Sequence, residues 1–166
     1  MAVRVRHAVA GDETRIAGLL VRLVDQHVAY DPRRFSNFIT PDGAAAFYRG
    51  CIDDPNAAVL VAEIDNEITG FAYLEFESLN YEEMVEKGVW LHDIYLEPKA
   101  RSAGTGKALM EAAITAAKEL GGEKLLLGVA AENLAARGFF ENFGFRTTML
   151  EMTLDLESEP PAGSGG

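Results

Sequence analysis

The chain has 166 residues, 48% of them hydrophobic and 25% charged, which suits one globular domain and leaves little room for two. Its formal net charge of −11, from 15 Lys and Arg against 26 Asp and Glu, argues against a nucleic-acid partner, because binding a phosphate backbone needs a basic surface. A single cysteine, Cys51, excludes an internal disulfide framework, and with no signal-like start and no 18-residue apolar run a cytoplasmic protein without a membrane partner is expected.

Val3 to Val9 is short and β-prone and stops at Gly11-Asp12, where Asp12 is a good N-cap. Ile16, Leu19, Leu20, Leu23 and Val24 then recur at helical spacing. Residues 30–37 are polar, contain Pro32, and read as a loop. Thr40-Pro41 is an N-cap followed by proline in the first helical position, and predicts a helix carrying Phe47, Tyr48, Cys51 and Ile52. Ala57 to Ile64 and Ile68 to Phe76 flank Asp65-Asn66-Glu67 as the two arms of a hairpin. Gly70 is the expected site of a bulge.

Leu79 to Lys87 reads as a charged excursion, followed by a strand from Val89 to Leu96. Lys107 to Leu120 is helical, with Ala108, Leu109, Ala112, Ala113, Ala116, Ala117 and Leu120 as a narrow stripe that lets it sit close to a sheet. Gly121-Gly122 ends it. Leu125 to Ala130 is apolar throughout and predicts a strand buried on both faces. A short helix over Asn133 to Asn142 precedes a final strand, Phe145 to Leu156. The order β-α-α-β-β-β-α-β-α-β gives a mixed sheet with helices on both faces. Residues 1–156 form the expected domain, and the Pro/Gly/Ser-rich residues 157–166 an expected disordered tail.

The segment from Asp93 to Lys107 carries the chemistry. A strand passes through Pro98 into a loop with glycines at 104 and 106, and a helix starts there. Backbone N–H groups converging at the positive end of a helix suit a pyrophosphate, and Arg101 and Lys107 add positive charge beside it. The spacing fits neither G-x-G-x-x-G, since position 109 is Leu, nor a P-loop, which needs four residues between its glycines.

Arg101-x-x-Gly104-x-Gly106 after the apolar strand and Pro98 resembles the acyl-CoA-binding motif of the GCN5-related N-acetyltransferase (GNAT) family. Asn133-x-x-Ala136-x-x-x-Phe140-x-x-x-Gly144-Phe145 after the next strand is similar to that family's second half. The resemblance implies a mixed α/β fold with a central, mostly antiparallel sheet and helices on both faces. It implies an enzyme that uses acetyl-CoA as co-substrate and an amine as acceptor, with no metal. By the same resemblance Ile94, Tyr95 and Leu96 pair with the pantetheine arm in a gap between this strand and Leu125–Ala130. Arg101, Ser102, Ala103, Gly104, Thr105, Gly106 and Lys107 hold the pyrophosphate. Asn133 contacts the arm, and Phe140 lies near the thioester. Phe140 departs from the family, which often has a tyrosine there as the acid for the departing thiolate. A thiol of pKa about 8.5 leaves tolerably without one, and water, Tyr95 or Tyr30 are the substitutes considered. Homodimers are common in the family, though no residue pattern here specifies one.

An alkylamine of pKa about 10.4 attacks a thioester only when neutral, so a base helps. His92 is the candidate base and Asp93 a second catalytic candidate that would orient the amine. Leu91-His92-Asp93-Ile94-Tyr95-Leu96 is also similar to the matching strand of diamine acetyltransferases, which have an acidic residue at position 92. Strict alternation puts His92 on one face with Trp90 and Ile94, and Asp93 on the other with Leu91 and Tyr95. A structural histidine is the competing reading of His92. Glu75, Glu77, Glu82 and Glu83 are candidates to line the acceptor cleft. The alternatives to an acetyltransferase of small or peptide-borne amines are an acyl-CoA-binding module with weak catalysis, which Phe140 keeps open, and a structural protein with only the outline of the fold.

Overall fold

The computed structural model describes residues 2–101 and 104–157. Ser102 and Ala103, and the tail beyond 157, lie outside the described residues. Five strands form one sheet in chain order: β1 (Val3–His7), β2 (Ala57–Ile64), β3 (Glu67–Asn80), β4 (Val85–Leu96) and β5 (Lys124–Leu126). Pairing is antiparallel except between β4 and β5, which are parallel. Helices α1 (Glu13–Tyr30) and α2 (Pro41–Asp53) pack on one face, and α3 (Thr105–Glu119) and α4 (Leu134–Asn142) on the other.

Local chemistry explains the element boundaries. Asp65 and Asn66 both have positive φ, 50° and 66°, the geometry of a two-residue hairpin turn matched to strand twist, and Asn and Asp tolerate it better than most residues. Thr40 Oγ1 accepts the Gly43 N–H at 3.2 Å as the N-cap of α2. Asp12 does not cap α1 with its side chain. Its carboxylate accepts from Val9 N–H at 2.8 Å and from Arg6 at 2.7 Å, joining β1 to the turn while Arg6 also pairs with Glu63 on β2. These contacts hold the Asp12 carboxyl below its ordinary range, chiefly through the Arg6 hydrogen bond.

The two faces hold two cores. Ile16, Leu19, Tyr48 and Cys51 meet Val59, Val61, Phe71, Tyr73 and Tyr95 on the α1/α2 face. Leu109, Met110, Ala113, Ala116 and Ala117 of α3 meet Leu60, Leu74, Val89 and Leu91 on the other. Each fully buried Leu, Ile or Val contributes about 1.5–3 kcal/mol, and the alanines let the axis of α3 approach the sheet.

The C-terminal third departs from the sequence reading. Instead of an excursion at 79–87, β3 and β4 continue to Asn80 and Val85 around a tight turn. Strand β5 ends at Leu126, and Leu125 and Leu127 are half-buried rather than enclosed, because pairing reaches only Gly88–Trp90 of β4. Residues 145–155 form no strand. Their alternating pattern has no ladder partner among the described residues, and a strand exists only where its N–H and C=O groups are paired. At Gly70 the expected irregularity is present: register shifts between Ala62 and Glu63, leaving Thr69 as the extra residue.

Candidate active site

A second register shift decides the geometry of β4. Tyr73 pairs with Asp93 and Leu74 with Leu91, so His92 is the extra residue of a β-bulge. The bulge overturns strict alternation. Leu91 and Ile94 both belong to the α3 face, whereas His92 and Asp93 both line one cleft on the α2 side. Two residues that alternation would separate are thereby brought together.

That cleft, of about 730 Å³, is lined by Phe47, Cys51, Asp54, Tyr73, Glu75 and His92 with Asp93. Asp93 accepts a 2.7 Å hydrogen bond from the Tyr48 hydroxyl. Burial pushes the Asp93 carboxyl up, against the opposing pull of Tyr48 and the field of His92. Desolvation is the larger effect. Burial likewise pushes the Tyr48 and Tyr73 phenols and the Cys51 thiol up. All three are therefore neutral near pH 7 and serve as hydrogen-bonding and packing groups rather than as charges. Glu75 and Glu77 join His92 at the rim, their ligating atoms within 4.8 Å of one another. Glu82 lies beyond β3 and Glu83 in the same hairpin turn, both exposed and outside the cleft lining.

From the bulge, β4 runs on to Leu96 without β5, whose pairing stopped at Trp90–Leu126. The backbone of Ile94, Tyr95 and Leu96 is thus open on the β5 side. Beyond a 3-10 turn at Pro98–Ala100, Gly104 sits at φ 74° as the N-cap of α3, a left-handed conformation that suits glycine. A side chain at Gly106 would press on Leu96 and Phe139, at 3.3 and 3.6 Å from its first carbon. Small residues there let the helix start approach the strand end. The first N–H groups of α3 have no intrahelical acceptor by construction, and Thr105 is fully buried with no hydrogen-bond partner for its hydroxyl among the described residues.

Arg101 Nε donates to the Leu96 carbonyl at 3.2 Å, and its guanidinium lies 6.0 Å from the Tyr95 ring. Exposed Lys107 is 3.8 Å from Glu111; such a surface pair on one helix is worth about 0.3–0.5 kcal/mol, too little to hold the lysine from a phosphate. Asn133 caps α4 through its side-chain oxygen, 3.1 Å from Ala136 N–H, leaving its amide N–H groups to donate elsewhere. Phe140 is buried in the α3-side core against Phe139 and Phe145. Of the proposed acids, Tyr95 is buried and Tyr30 accepts from Gln26 at the end of α1; neither lines the cleft.

Sequence reasoning missed Tyr73 and Asp54 as cleft residues, and Tyr48 as the buried donor to Asp93. Tyr48 and Tyr73 sit in apolar runs and read as core. Only the bulge and the packing of α2 on the sheet bring Tyr73 to the cleft wall and Tyr48 against Asp93.

The family model described as the acetyltransferase (GNAT) family matches residues 23–145. An uncharacterised N-acetyltransferase of Mycobacterium bovis is 28% identical over 118 residues, covering 71% of each chain. A Bacillus subtilis protein named as a putative [ribosomal protein bS18]-alanine N-acetyltransferase is 26% identical over 141 residues, 81% of this chain and 83% of that one. Among solved structures, a tetramutant of a Bacillus halodurans protein superposes with TM-score 0.78 at 21% identity, over 92% of this chain and 99% of that one. The aminoglycoside N-acetyltransferase AAC(6')-Iy, solved with CoA, superposes with TM-score 0.75 at 18% identity, over 95% and 96%. No described helix is long and apolar enough to cross a membrane. With a model match over most of its length, this chain belongs to the acetyltransferase (GNAT) family of acetyl-CoA-dependent enzymes.

Proposed function

We propose that the protein moves an acetyl group from acetyl-CoA to a primary amine by direct attack in a ternary complex, with His92 as base. One observation carries this reading: β4 loses its β5 partner before the His92–Asp93 bulge and runs on, paired with β3 alone, toward the glycine-flanked start of α3. Open backbone at Ile94, Tyr95 and Leu96 suits the amide-bearing pantetheine arm. The N–H groups of residues 104–107, with Arg101 and Lys107, suit the pyrophosphate. Ser102 and Ala103 complete that loop in sequence, Asn133 supplies donors toward the arm, and Phe140 gives the thioester end an apolar wall.

On the amine side, the cleft is acidic and aromatic. Asp54, Glu75 and Asp93 favour a cation on arrival, and Phe47 and Tyr73 offer apolar faces. The amine must lose its extra proton before attack. Its nitrogen then bonds to the carbonyl carbon, a proton passes to His92, and the C–S bond breaks with its electron pair going to sulfur. The thiolate needs no tyrosine, because its conjugate acid has a pKa of about 8.5; Phe140 is compatible with turnover. CoA bound to AAC(6')-Iy supports the co-substrate, and a cytoplasmic location fits that supply.

We also infer a homodimer. Leu150, Met152, Leu154 and Leu156 alternate along the segment after α4 and are 80–92% exposed, while Glu151 and Asp155 on the alternate positions pair with Arg34 and Arg33. The polar side is tied to the chain's own loop and the apolar side is bare. A second copy offers the same stripe, as a two-fold interface requires.

Calorimetry of acetyl-CoA binding, followed by thiol release across a panel of amines, tests the enzymatic reading. Binding with turnover on one amine class supports it. His92→Ala should then lower turnover by about 100-fold or more with acetyl-CoA affinity unchanged. No binding of acetyl-CoA overturns the reading.

A further inference from the structure

His92 occupies the extra position of a bulge, outside the one-to-one register of β3 and β4, and its side-chain contacts orient the ring. Both come from β3. The imidazole stacks on Tyr73, centroids 5.3 Å apart and planes 25° from parallel. Its Nε2 lies 3.4 Å from Glu75 Oε2. The same carboxylate oxygen accepts the Tyr73 hydroxyl at 3.0 Å. Tyr73 therefore sets one face of the imidazole and also aims the carboxylate at its Nε2.

Other charged or titratable groups face this ring, and none is placed the same way. Glu77, next on that face of β3, brings an oxygen within 4.8 Å of a His92 ring nitrogen, but its Oε2 accepts from Asn80 Nδ2 at 2.5 Å. Asp93 on β4 is bonded to Tyr48. Cys51 and Asp54, from α2 and its C-terminal end, line the cleft on its far side. Glu75 is the carboxylate with an oriented oxygen at Nε2.

A neutral imidazole has one N–H and one lone pair, and the partner of the N–H decides which nitrogen is free to accept a proton. We propose that Glu75 is a positioning residue, stacked into place with Tyr73, that holds His92 with Nε2 as the N–H nitrogen and leaves Nδ1 to take the proton from the attacking amine. This rests on the reading of His92 as the base. In the step, the amine nitrogen bonds to the carbonyl carbon, its proton moves to Nδ1, and the sulfur leaves with the C–S electron pair. The imidazolium stays beside the Glu75 carboxylate until it returns the proton to water.

The test is nitrogen NMR of the side-chain imidazoles in the full chain, with no acceptor needed. There are three histidines, and His92→Ala assigns the signal; exposed His7 is the internal reference. The ratio of Nε2–H to Nδ1–H tautomer at His92 should exceed that of His7 by about threefold or more, within the range a hydrogen bond to a charged group supports. Glu75→Leu should bring it to the His7 value, and Glu75→Gln, whose carbonyl also accepts, should restore it. A wild-type ratio no higher than that of His7, or one that Glu75→Leu leaves unchanged, overturns the proposal; the wild-type measurement decides even where the leucine variant does not fold. Failure of the base reading shows separately, as normal thiol release by His92→Ala.

Discussion

The two flanks of β4 are built oppositely. On the β3 side, pairing extends from Gly70–Leu96 to Asn80–Val85 with one irregularity, at His92. On the β5 side it covers three residues, Gly88 to Trp90, and stops. The long flank fixes side chains: Tyr73, Glu75 and His92 hold one another, and Asp93 sits opposite Tyr73 in register. The short flank leaves backbone open, which is what a ligand rich in amides needs. Precise placement of reacting groups and room for a long, flexible co-substrate make opposite demands, and one strand meets both by pairing fully on one side only.

Closing the open flank should have the largest effect. Gly106→Trp would force bulk between α3 and Leu96, and should weaken acetyl-CoA binding by about 100-fold, or about 2.7 kcal/mol. Calorimetry checks this, with circular dichroism to confirm that the fold survives. Unchanged affinity would mean the opening beside Leu96 is not where the co-substrate lies.

Next is the apolar segment that follows the open flank. Met152→Glu with Leu154→Glu places two charges on the bare stripe. Light scattering should show the dimer becoming a monomer, since like charges across a two-fold axis repel and stay poorly solvated. A wild-type protein that is monomeric at high concentration removes this reading.

The smallest effect belongs to the closed flank. Burial raises the Asp93 carboxyl above its ordinary range, so Asp93 favours the fold fully at low pH. That contribution is lost as pH rises through the folded-state value. Asp93→Asn keeps an acceptor for Tyr48 without the buried charge. Its melting temperature should therefore exceed the wild type by a few degrees at pH 7, and the gain should shrink toward pH 4. An equal difference at both pH values would show that Asp93 is not held at a cost.

Much of this was legible in the residues. Asp65-Asn66 marked a hairpin, Thr40-Pro41 a helix start, and the alanine stripe of α3 a close approach to the sheet. Arg101, Gly104 and Gly106 mark the loop at the head of that helix, and the residue types at His92 and Asp93 mark them as candidates for acid–base chemistry. Each of these rests on a local preference, such as positive φ, a capping oxygen or a missing Cβ.

Less visible were the features that depend on pairs. The run Leu150 to Leu156 alternates as well as any strand in the chain, yet it forms none, because periodicity belongs to the residues and a strand belongs to two backbones. The bulge at His92 was equally hidden. Nothing in Leu91-His92-Asp93 encodes an extra residue, which exists only relative to Tyr73 and Leu74 on the neighbouring strand. By itself the sequence determined the element order as far as α4, the hairpin turn at Asp65-Asn66 and the motif loop, since these follow from short-range sterics and hydrogen bonds. The tertiary structure alone decided that His92 and Asp93 share a face, that Tyr48, Tyr73 and Glu75 surround them, and that β4 stands open beside β5, because register and packing are set between segments distant in the chain.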